Sequence, residues 1–305
     1  MVNPVTLRKR STIKNTADDK IFYFFVSIIL GTLFILILYP LIFVVSSSFS
    51  SPWAVSTGRV FLWPVDFSLE GYKAVFSNQM IGIGYMNTVI YTLFGTMINV
   101  SMTMIAAYPL ACARLPFKKL LMFMFTFTML FSGGMIPNFI LIRNLGMINT
   151  RWAMIIPGAI GIYNMIITRT FIMNSIPGEL QEAAEIDGAS DIQYFLHCVL
   201  PLSKAVIAVI TLFYSVGHWN SYFNAFLYLT ERNLIPLQIV LRDILISHTI
   251  DPSVMIDETL MAARLGMADL LRYALIIVSS LPVMMIYPFI QKYFIQGVMI
   301  GSLKG

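Results

Sequence analysis

The sequence predicts an all-α integral membrane protein with six transmembrane helices, and three observations lead to this fold class. Only 11% of the 305 residues are charged and 58% are hydrophobic, whereas a water-soluble domain carries about a quarter charged residues. Six apolar runs reach about 20 residues, the length that crosses a bilayer as a helix. These runs are continuous rather than alternating in polarity, which favours helices over the strands of a β-barrel.

An even number of spans places both chain termini on the same side of the membrane. Twelve of the 20 Lys and Arg residues then fall on the side of the termini and eight on the other, and five of them precede the first span. Positive charge marks the cytoplasmic side of membrane proteins, so the sequence predicts cytoplasmic termini. The spans are expected at roughly residues 21–45, 85–113, 120–141, 153–173, 204–229 and 272–295.

This topology divides the chain into terminal tails, an added first span and a core of five helices. Within that core, the segment 174–203 forms an acidic loop on the cytoplasmic side. The predicted segments are a cytoplasmic N-terminal tail (1–20), the first transmembrane helix (21–45), an extracellular segment (46–84), the five-helix core domain (85–295) and a cytoplasmic C-terminal tail (296–305).

Several classes of chemistry are missing from the sequence. It contains no G-x-x-x-x-G-K-[ST] phosphate loop, no H-E-x-x-H zinc motif and no G-x-S-x-G nucleophile elbow, so no catalytic residue, metal ligand or cofactor site is predicted. None of the six predicted spans contains Asp or Glu, whereas carriers driven by protons or ions usually keep a carboxylate at membrane depth. The net charge of +5 follows from the topology, and no nucleic-acid partner is expected.

The acidic loop concentrates charge in an otherwise apolar chain, because five of the 15 acidic residues fall within 13 positions. Pro177 suits the start of a helix, and Gly188 suits a left-handed C-cap. Ser190 is a suitable N-cap for a second helix, which is expected to run to about residue 199 and to end at Leu200–Pro201. This helix–turn–helix is either a solvated surface element or a docking site whose glutamates meet Arg or Lys of a partner.

A spaced motif in the acidic loop resembles the EAA motif of ABC importer permeases, E-A-A-x3-G-x9-I-x-L-P. It starts at Glu182-Ala183-Ala184, and Gly188 follows after three residues. Leu200-Pro201 closes it at the family's spacing, with Cys198 where the family has Ile. The motif also precedes the second-last span, as in that family. The resemblance implies that these residues couple the loop to a partner ATPase: Glu182, Ala183, Ala184, Asp187, Gly188, Leu200 and Pro201.

Other stretches resemble the carbohydrate branch of these permeases, the maltose-type family, over about residues 20–300. They are EIDGA after the EAA motif, Asn87-Thr88 in the second span, AAYPLA at its end, and Trp219-Asn220. The segment FSGGMIPNFILIRNLGMINTRWAMIIP is similar to a subgroup for complex oligosaccharides that is found chiefly in Gram-positive bacteria.

The resemblance implies a type I ABC importer permease fold and a subunit rather than a complete transporter. A homologous second permease would form the other half of the pathway, and an extracellular solute-binding lipoprotein would deliver an oligosaccharide. Two copies of a cytoplasmic ATPase would bind ATP and magnesium, so that this chain binds no cofactor itself. The chain would be a multi-pass protein of the cell membrane of a Gram-positive bacterium. The alternatives are a permease for another solute, such as a peptide or a polyamine, and a stand-alone secondary carrier.

The substrate path is predicted from residues that suit sugars, since sugars pack on aromatic faces and hydrogen-bond with amides. Residues 219, 222 and 223 are expected on one helical face, although an aromatic belt at the membrane interface would explain them equally well. Arg143 and Arg151 on the outer side suit an acidic oligosaccharide, such as a fragment of a uronic-acid polymer. The candidate path residues are Asn87, Trp219, Asn220, Tyr222, Phe223 and Asn224.

Overall fold

A computed structural model gives the fold, and it describes residues 16–112, 114–247, 266–286 and 288. All regular secondary structure within these residues is helical, as predicted. Besides the α-helices there are a π-helical turn, Phe195–Val199, and a 3-10 turn, Arg232–Leu234. The α-helices are α1 (Ala17–Ser48), α2 (Pro52–Ser56), α3 (Glu70–Ser77), α4 (Gln79–Ala111), α5 (Lys118–Leu130), α6 (Met135–Asn144), α7 (Trp152–Ile155), α8 (Ile162–Ser175), α9 (Gly178–Ile186), α10 (Asp191–Tyr194), α11 (Leu200–Leu202), α12 (Lys204–Trp219), α13 (Phe223–Tyr228), α14 (Leu237–Ser247) and α15 (Gly266–Ile286).

Helix α1 begins at a capping box and contains the predicted first span, 21–45. The Thr16 hydroxyl accepts a hydrogen bond from the Asp19 backbone N–H (3.3 Å), and the Asp19 carboxylate accepts one from the Thr16 N–H (2.9 Å). No residue in the most apolar 18-residue stretch of α1 is buried against the described part of the chain. A helix that is apolar on every side needs lipid or another protein around it, so α1 has the character of a membrane span.

Helix α4 is the centre of the structure. Its 33 residues measure about 50 Å along the axis, and it packs against α8, α12 and α14. The helix starts earlier than the predicted residue 85, because the Asn78 side chain accepts a hydrogen bond from the Met80 N–H (3.0 Å) and caps it. Gly95 lets α4 and α12 approach closely, since a Cβ there would lie 2.4 Å from ring atoms of His218.

Two predicted spans are not continuous helices. The prediction of one helix over 120–141 is wrong, because α5 and α6 are bent by 111° where the chain passes through Ser132-Gly133-Gly134. Gly134 has a φ of +89°, a conformation that favours glycine. The prediction of one helix over 204–229 is also wrong, since α12 ends at Trp219 and α13 begins at Phe223. Hydropathy records the apolar character of these segments but not the breaks.

Within the described residues, three helices are long and apolar enough to cross a membrane: α1, α4 and α15. Up to five crossings result if each of two bent pairs is one span, namely α5 with α6, and the helical run 191–202 with α12. Helix α8 has 14 residues, fewer than the roughly 20 that a span needs, because Pro157-Gly158 and Gly161 delay its start within the predicted 153–173. The end of the last predicted span, 272–295, lies outside the described residues.

The largest buried cluster in the described part of the chain lies where α4, α8 and α12 meet the acidic loop. The Tyr214 hydroxyl of α12 lies 2.6 Å from the Thr103 hydroxyl of α4, and it accepts a hydrogen bond from the Gly161 N–H (2.9 Å). Residues of the acidic loop contribute to this core, which therefore attaches the loop to the central helices. The buried members are Met104, Ala107, Tyr108, Leu110, Met165, Ile172, Ile176, Tyr194, Val199, Val206, Ile210 and Tyr214.

Candidate functional site

Helix α9 carries the predicted motif and ends in a glycine turn. Pro177 is the extended residue before its first turn. At the other end, Gly188 has a φ of +78°, and its N–H donates to the Glu185 carbonyl (3.0 Å). The Ala189 N–H donates to the Ala184 carbonyl (2.9 Å). These two hydrogen bonds form a Schellman C-cap, which glycine adopts without strain. The predicted left-handed cap at Gly188 is confirmed.

Ser190 begins the second helix of the acidic loop, as predicted. Its hydroxyl accepts a hydrogen bond from the Gln193 N–H (3.3 Å), and the Gln193 side-chain oxygen accepts one from the Ser190 N–H (2.8 Å). This capping box satisfies two backbone donors that have no partner inside a helix. The expected helix–turn–helix is therefore present.

The second helix continues past its predicted end at Leu200–Pro201. It passes through the π-helical turn, in which the Leu200 N–H bonds to the Phe195 carbonyl, and reaches Leu202. Pro201 has no N–H and would clash in a regular α-helix. The wider π turn just before it changes the hydrogen-bond register, so the helix can continue through the proline. The chain then bends by 79° between this helix and α12.

One face of α9 is exposed along the helix. Glu182, Ala183 and Ile186 lie on it at three- and four-residue spacing, together with Glu179 and Asp187. The Ile186 side chain is 86% exposed, although a side chain of this kind is usually buried. This face therefore combines an exposed aliphatic side chain with several carboxylates.

The other face of α9 points towards the rest of the chain. Gln181, Ala184 and Glu185 are half-buried there, and Ala184 packs against the core formed by α4, α8 and α12. Leu200 packs against the same core. Ala184 and Leu200 therefore hold the acidic loop in place. The predicted coupling residues that are exposed are Glu182, Ala183, Asp187, Gly188 and Pro201.

Glu185 forms an ion pair with Arg114, which lies in the turn between α4 and α5. The Gln181 side-chain amide also donates to the Glu185 carboxylate (3.4 Å). The hydrogen bond that Arg114 donates to Glu185, the charge of that carboxylate and the nearby charges of Asp191 and Glu182 raise the pKa of Arg114. Arg114 is missing from the predicted site residues; the signal in the sequence is that its basic turn, ARLPFKKL, is predicted on the same side of the membrane as the acidic loop.

Two further cations bind the C-terminal end of α4, the end predicted to lie on the cytoplasmic side. The Arg169 Nε donates to the Leu110 carbonyl (2.8 Å), and the Lys118 Nζ donates to the carbonyls of Ala111 (3.1 Å) and Cys112 (2.9 Å). The last carbonyls of a helix have no partner inside it and form the negative end of its dipole. These cations therefore fix the end of α4 to α8 and to the start of α5.

The predicted substrate-path residues near Trp219 do not share one helical face. Because the chain breaks between α12 and α13, the expectation of a single face formed by residues 219, 222 and 223 is wrong. Trp219 is buried, and its indole N–H donates to the Ser279 carbonyl of α15 (2.9 Å). The remaining candidates lie at the break or just after it: Tyr222 is half-buried, and Asn220, Phe223 and Asn224 are exposed.

A cavity of about 300 Å³ lies beside this break. It is lined by Trp219, Asn220, Gln238, Ser279 and Ser280, among others. An aromatic ring with a few amides and hydroxyls around it is typical of small-molecule sites, whose volumes begin at about 300 Å³. Trp219 and Asn220 therefore line the same cavity, whose other walls include the apolar Leu241, Ile276, Val283 and Met284.

The Asn87 side chain holds the loop segment 233–235. Its side-chain amide donates to the carbonyls of Asn233 (2.8 Å) and Ile235 (3.2 Å), and its side-chain oxygen accepts a hydrogen bond from Arg151 (3.4 Å). Only 2% of the residue is exposed. The neighbouring Tyr91 hydroxyl donates to the Leu234 carbonyl (2.7 Å). Asn87 thus joins α4 to the segment 233–235.

Replacing Asn87 with Leu is expected to destabilise the protein by about 2–4 kcal/mol, because two carbonyls and a guanidinium lose their partner at a buried position. Denaturant unfolding of the purified protein in detergent measures the effect. Asn220→Leu is the control, since Asn220 is exposed and its amide makes one hydrogen bond, to the Val216 carbonyl. Equal destabilisation by the two substitutions would contradict the structural role of Asn87.

Known proteins resemble this chain over most of its length. The polygalacturonan/rhamnogalacturonan transport system permease protein YtcP of Bacillus subtilis is 39% identical over 267 residues, which are 87% of this chain and 92% of that protein. Protein LplC of the same organism is 37% identical over 294 residues, 96% of this chain and 98% of that protein. The maltodextrin transport system permease protein MalD of Streptococcus pneumoniae is 25% identical over 282 residues, which are 89% of this chain and 91% of that protein. No family model matches the sequence.

A solved structure has the same fold. It is the crystal structure of a bacterial ABC transporter involved in the import of the acidic polysaccharide alginate. The matching chain is 34% identical, with a TM-score of 0.84, and the alignment covers 93% of this chain and 100% of that chain.

Proposed function

This chain belongs to the permease family of carbohydrate ABC transporters, and we propose that it forms one of two permease halves in an importer for an acidic oligosaccharide. The observation that carries the proposal is the exposed face of α9, where carboxylates surround an exposed Ile186. The sequence has no phosphate loop of its own, so the energy for transport comes from a separate protein that docks on this face.

The docking partner in this proposal is a cytoplasmic ABC ATPase, present in two copies, which binds ATP and magnesium. Glu182 pairs with a basic residue of the ATPase, and Ala183 and Ile186 pack into its surface. Gly188 and the capping box at Ser190 keep α9 at a fixed angle to the helix that follows. This chain then binds no cofactor and is not itself an enzyme.

The membrane arrangement that goes with this function has six spans and cytoplasmic termini. The segments 1–20, 174–203 and 296–305 face the cytoplasm, and 46–84 faces outward. An extracellular solute-binding lipoprotein delivers the sugar, and a homologous second permease completes the pathway. The relatives in Bacillus subtilis favour the cell membrane of a Gram-positive bacterium.

The proposed cargo carries carboxylates. The names of two similar proteins refer to transport of polymers of this kind. One is a polygalacturonan/rhamnogalacturonan transport permease, and the other belongs to a transporter involved in the import of the acidic polysaccharide alginate. Arg143 and Arg151 are exposed in this chain, and arginine is the side chain that best matches a carboxylate. The Arg151 guanidinium donates a hydrogen bond to Asn87, close to the segment 233–235. In this proposal Arg151, rather than Arg143, therefore binds the carboxylate of the sugar. Asn220 supplies an amide at the 300 Å³ cavity, which the buried Trp219 also lines.

The test of this function is a titration of the cognate solute-binding protein with trigalacturonate and with maltotriose, followed by uptake of both sugars by the complete complex in proteoliposomes. Binding and ATP-dependent uptake of trigalacturonate, with little of either for maltotriose, are expected. Preference for the neutral sugar would overturn the proposed substrate class.

Substituting Arg151 with Gln is expected to raise the KM for trigalacturonate about tenfold, since a hydrogen bond to a charged group contributes roughly 1.5–3 kcal/mol and about 1.4 kcal/mol corresponds to a factor of ten. Initial uptake rates in proteoliposomes give the KM. Arg59→Gln is the control. It removes the same charge from an arginine whose guanidinium is engaged by the Trp53 ring (4.1 Å) rather than by Asn87, and its KM should be unchanged. An unchanged KM in Arg151→Gln would contradict a role in carboxylate recognition.

A further inference from the structure

We propose that Arg114 and Glu185 position the coupling helix α9 by tethering it to the inner end of α4, so that a movement imposed on α9 by the ATPase is passed to α4. The inference rests on the proposed docking of an ATPase on α9. Arg114 is a positioning residue in this account, because its contact lies within this chain rather than with nucleotide or sugar.

The two glutamates of the EAAE sequence have different surroundings. Glu182 lies at the edge of the exposed face of α9, whereas Glu185, three residues later, is half-buried on the side towards α4. Arg114 pairs with Glu185 and leaves Glu182 accessible. One carboxylate is therefore available for the partner, and the other connects α9 to its own chain.

Apart from the Arg114–Glu185 ion pair, the contact between α9 and the α4–α5 turn is loosely packed. A cavity of about 630 Å³ lies between the inner end of α4, the turn and the acidic loop, and Arg114, Gln181 and Asp191 are among the residues that line it. Tyr108 and Phe195, which also line the cavity, are in aromatic contact (5.1 Å between ring centroids). Because side-chain packing does not fill this space, the polar bridge at its edge acts together with the packing of Ala184 to set where α9 lies.

The Arg114 end of the bridge is itself well fixed. Lys118, four residues along the chain, donates to two carbonyls at the end of α4, and Arg169 donates to a third. Lys118 thus ties the turn that carries Arg114 to the end of α4, and Arg169 ties that end to α8. A displacement of Glu185 therefore acts on α4, whose outer end holds the segment 233–235 through Asn87 and Tyr91.

The bridge is suited to positioning rather than to folding. The Arg114 side chain is 71% exposed and the Glu185 side chain 32% exposed, and an ion pair that water reaches adds little to folding stability. Breaking it is therefore expected to leave the protein folded and to change the position and mobility of α9. Coupling should change while assembly is retained.

Charge exchange tests this inference in the complete complex, with its second permease, ATPase and solute-binding protein in nanodiscs. Hydrogen exchange of residues 178–189 reports the tether. Arg114→Glu and Glu185→Arg are each expected to raise the exchange rate of these amides at least threefold. The double variant with both charges swapped is expected to return the rate to within twofold of that of the original protein. Arg114→Lys, which keeps the positive charge, is expected to stay within the same twofold range. Lys119→Glu, the same charge change at an exposed position in the first turn of α5, is the matched control and should leave the rate unchanged.

The consequence for transport is read as ATP hydrolysed per trigalacturonate taken up in proteoliposomes. This ratio should rise at least threefold in each single variant and return in the double variant. Unchanged exchange in Arg114→Glu, or a double variant no better than the single ones, would overturn the tether; Arg114→Ala gives the same reading if a charge-reversed protein does not assemble. The exchange measurement needs no sugar, so failure of the original complex to take up trigalacturonate counts against the substrate class alone.

Discussion

Replacement of Glu182 with Gln is expected to weaken binding of the partner ATPase about 30-fold. Truncating one side of a hydrogen-bonded charge pair at an interface costs about 2 kcal/mol or more, which corresponds to roughly a factor of 30 in affinity. Glu182 lies on the exposed face of α9, beside Ala183 and Ile186, where its carboxylate has access to a basic residue of the ATPase. Titration of the nanodisc-embedded permease pair with the purified ATPase measures the affinity.

The control for Glu182 is Asp18→Asn. Asp18 is exposed in the first turn of α1, on the same predicted side of the membrane, and its substitution removes the same charge away from the acidic loop. Its affinity for the ATPase should stay within twofold of the original value. An equally small change in Glu182→Gln would mean that the exposed face of α9 is not the docking surface.

Replacing Gly95 with Leu is expected to destabilise the protein by about 3 kcal/mol, the upper end of the usual cost of overpacking a core. Even a Cβ at this position would overlap ring atoms of His218, so the larger side chain must displace that half-buried ring or push α4 and α12 apart. These two helices contribute most of the buried cluster to which the acidic loop is attached. Denaturant midpoints of the purified variants in detergent measure the loss.

Gly82→Leu provides the matched comparison within the same helix. A Cβ at Gly82 would meet nothing within 4 Å, and replacing glycine in a helix with a better helix former is favourable by up to about 1 kcal/mol. Gly82→Leu is therefore expected to be at least as stable as the original protein. If the two variants unfold at the same denaturant concentration, the close approach of α4 and α12 is not as described.

The features that the sequence predicts correctly depend on neighbouring residues. Gly188 caps α9 through hydrogen bonds to residues three and five positions before each donor, and Ser190 caps α10 with Gln193. The long apolar helices α1 and α4 are likewise recognisable from uninterrupted hydropathy. Local propensity and length were enough for these elements, and for the family motif that they carry.

The features that the sequence does not predict join distant residues or interrupt apolar runs. Asn87 bonds to the carbonyls of residues 146 and 148 positions away, and Glu185 pairs with Arg114 across 71 positions, so no local pattern indicates either contact. The bend between α5 and α6 and the break after Trp219 lie in segments that remain apolar. Hydropathy therefore predicted continuous spans, and the hydrogen bonds of Asn87 to the segment 233–235 were not foreseen.

The central claim is that transport through this permease is driven by an ATPase docked on α9. Uptake of labelled trigalacturonate by proteoliposomes, measured with and without the ATPase and with and without enclosed ATP, tests it most directly. The account predicts uptake when both are present, and a loss of at least tenfold when either is omitted or when Glu182 is replaced with Gln. Uptake by the permease pair alone, at the rate of the complete complex, would contradict it.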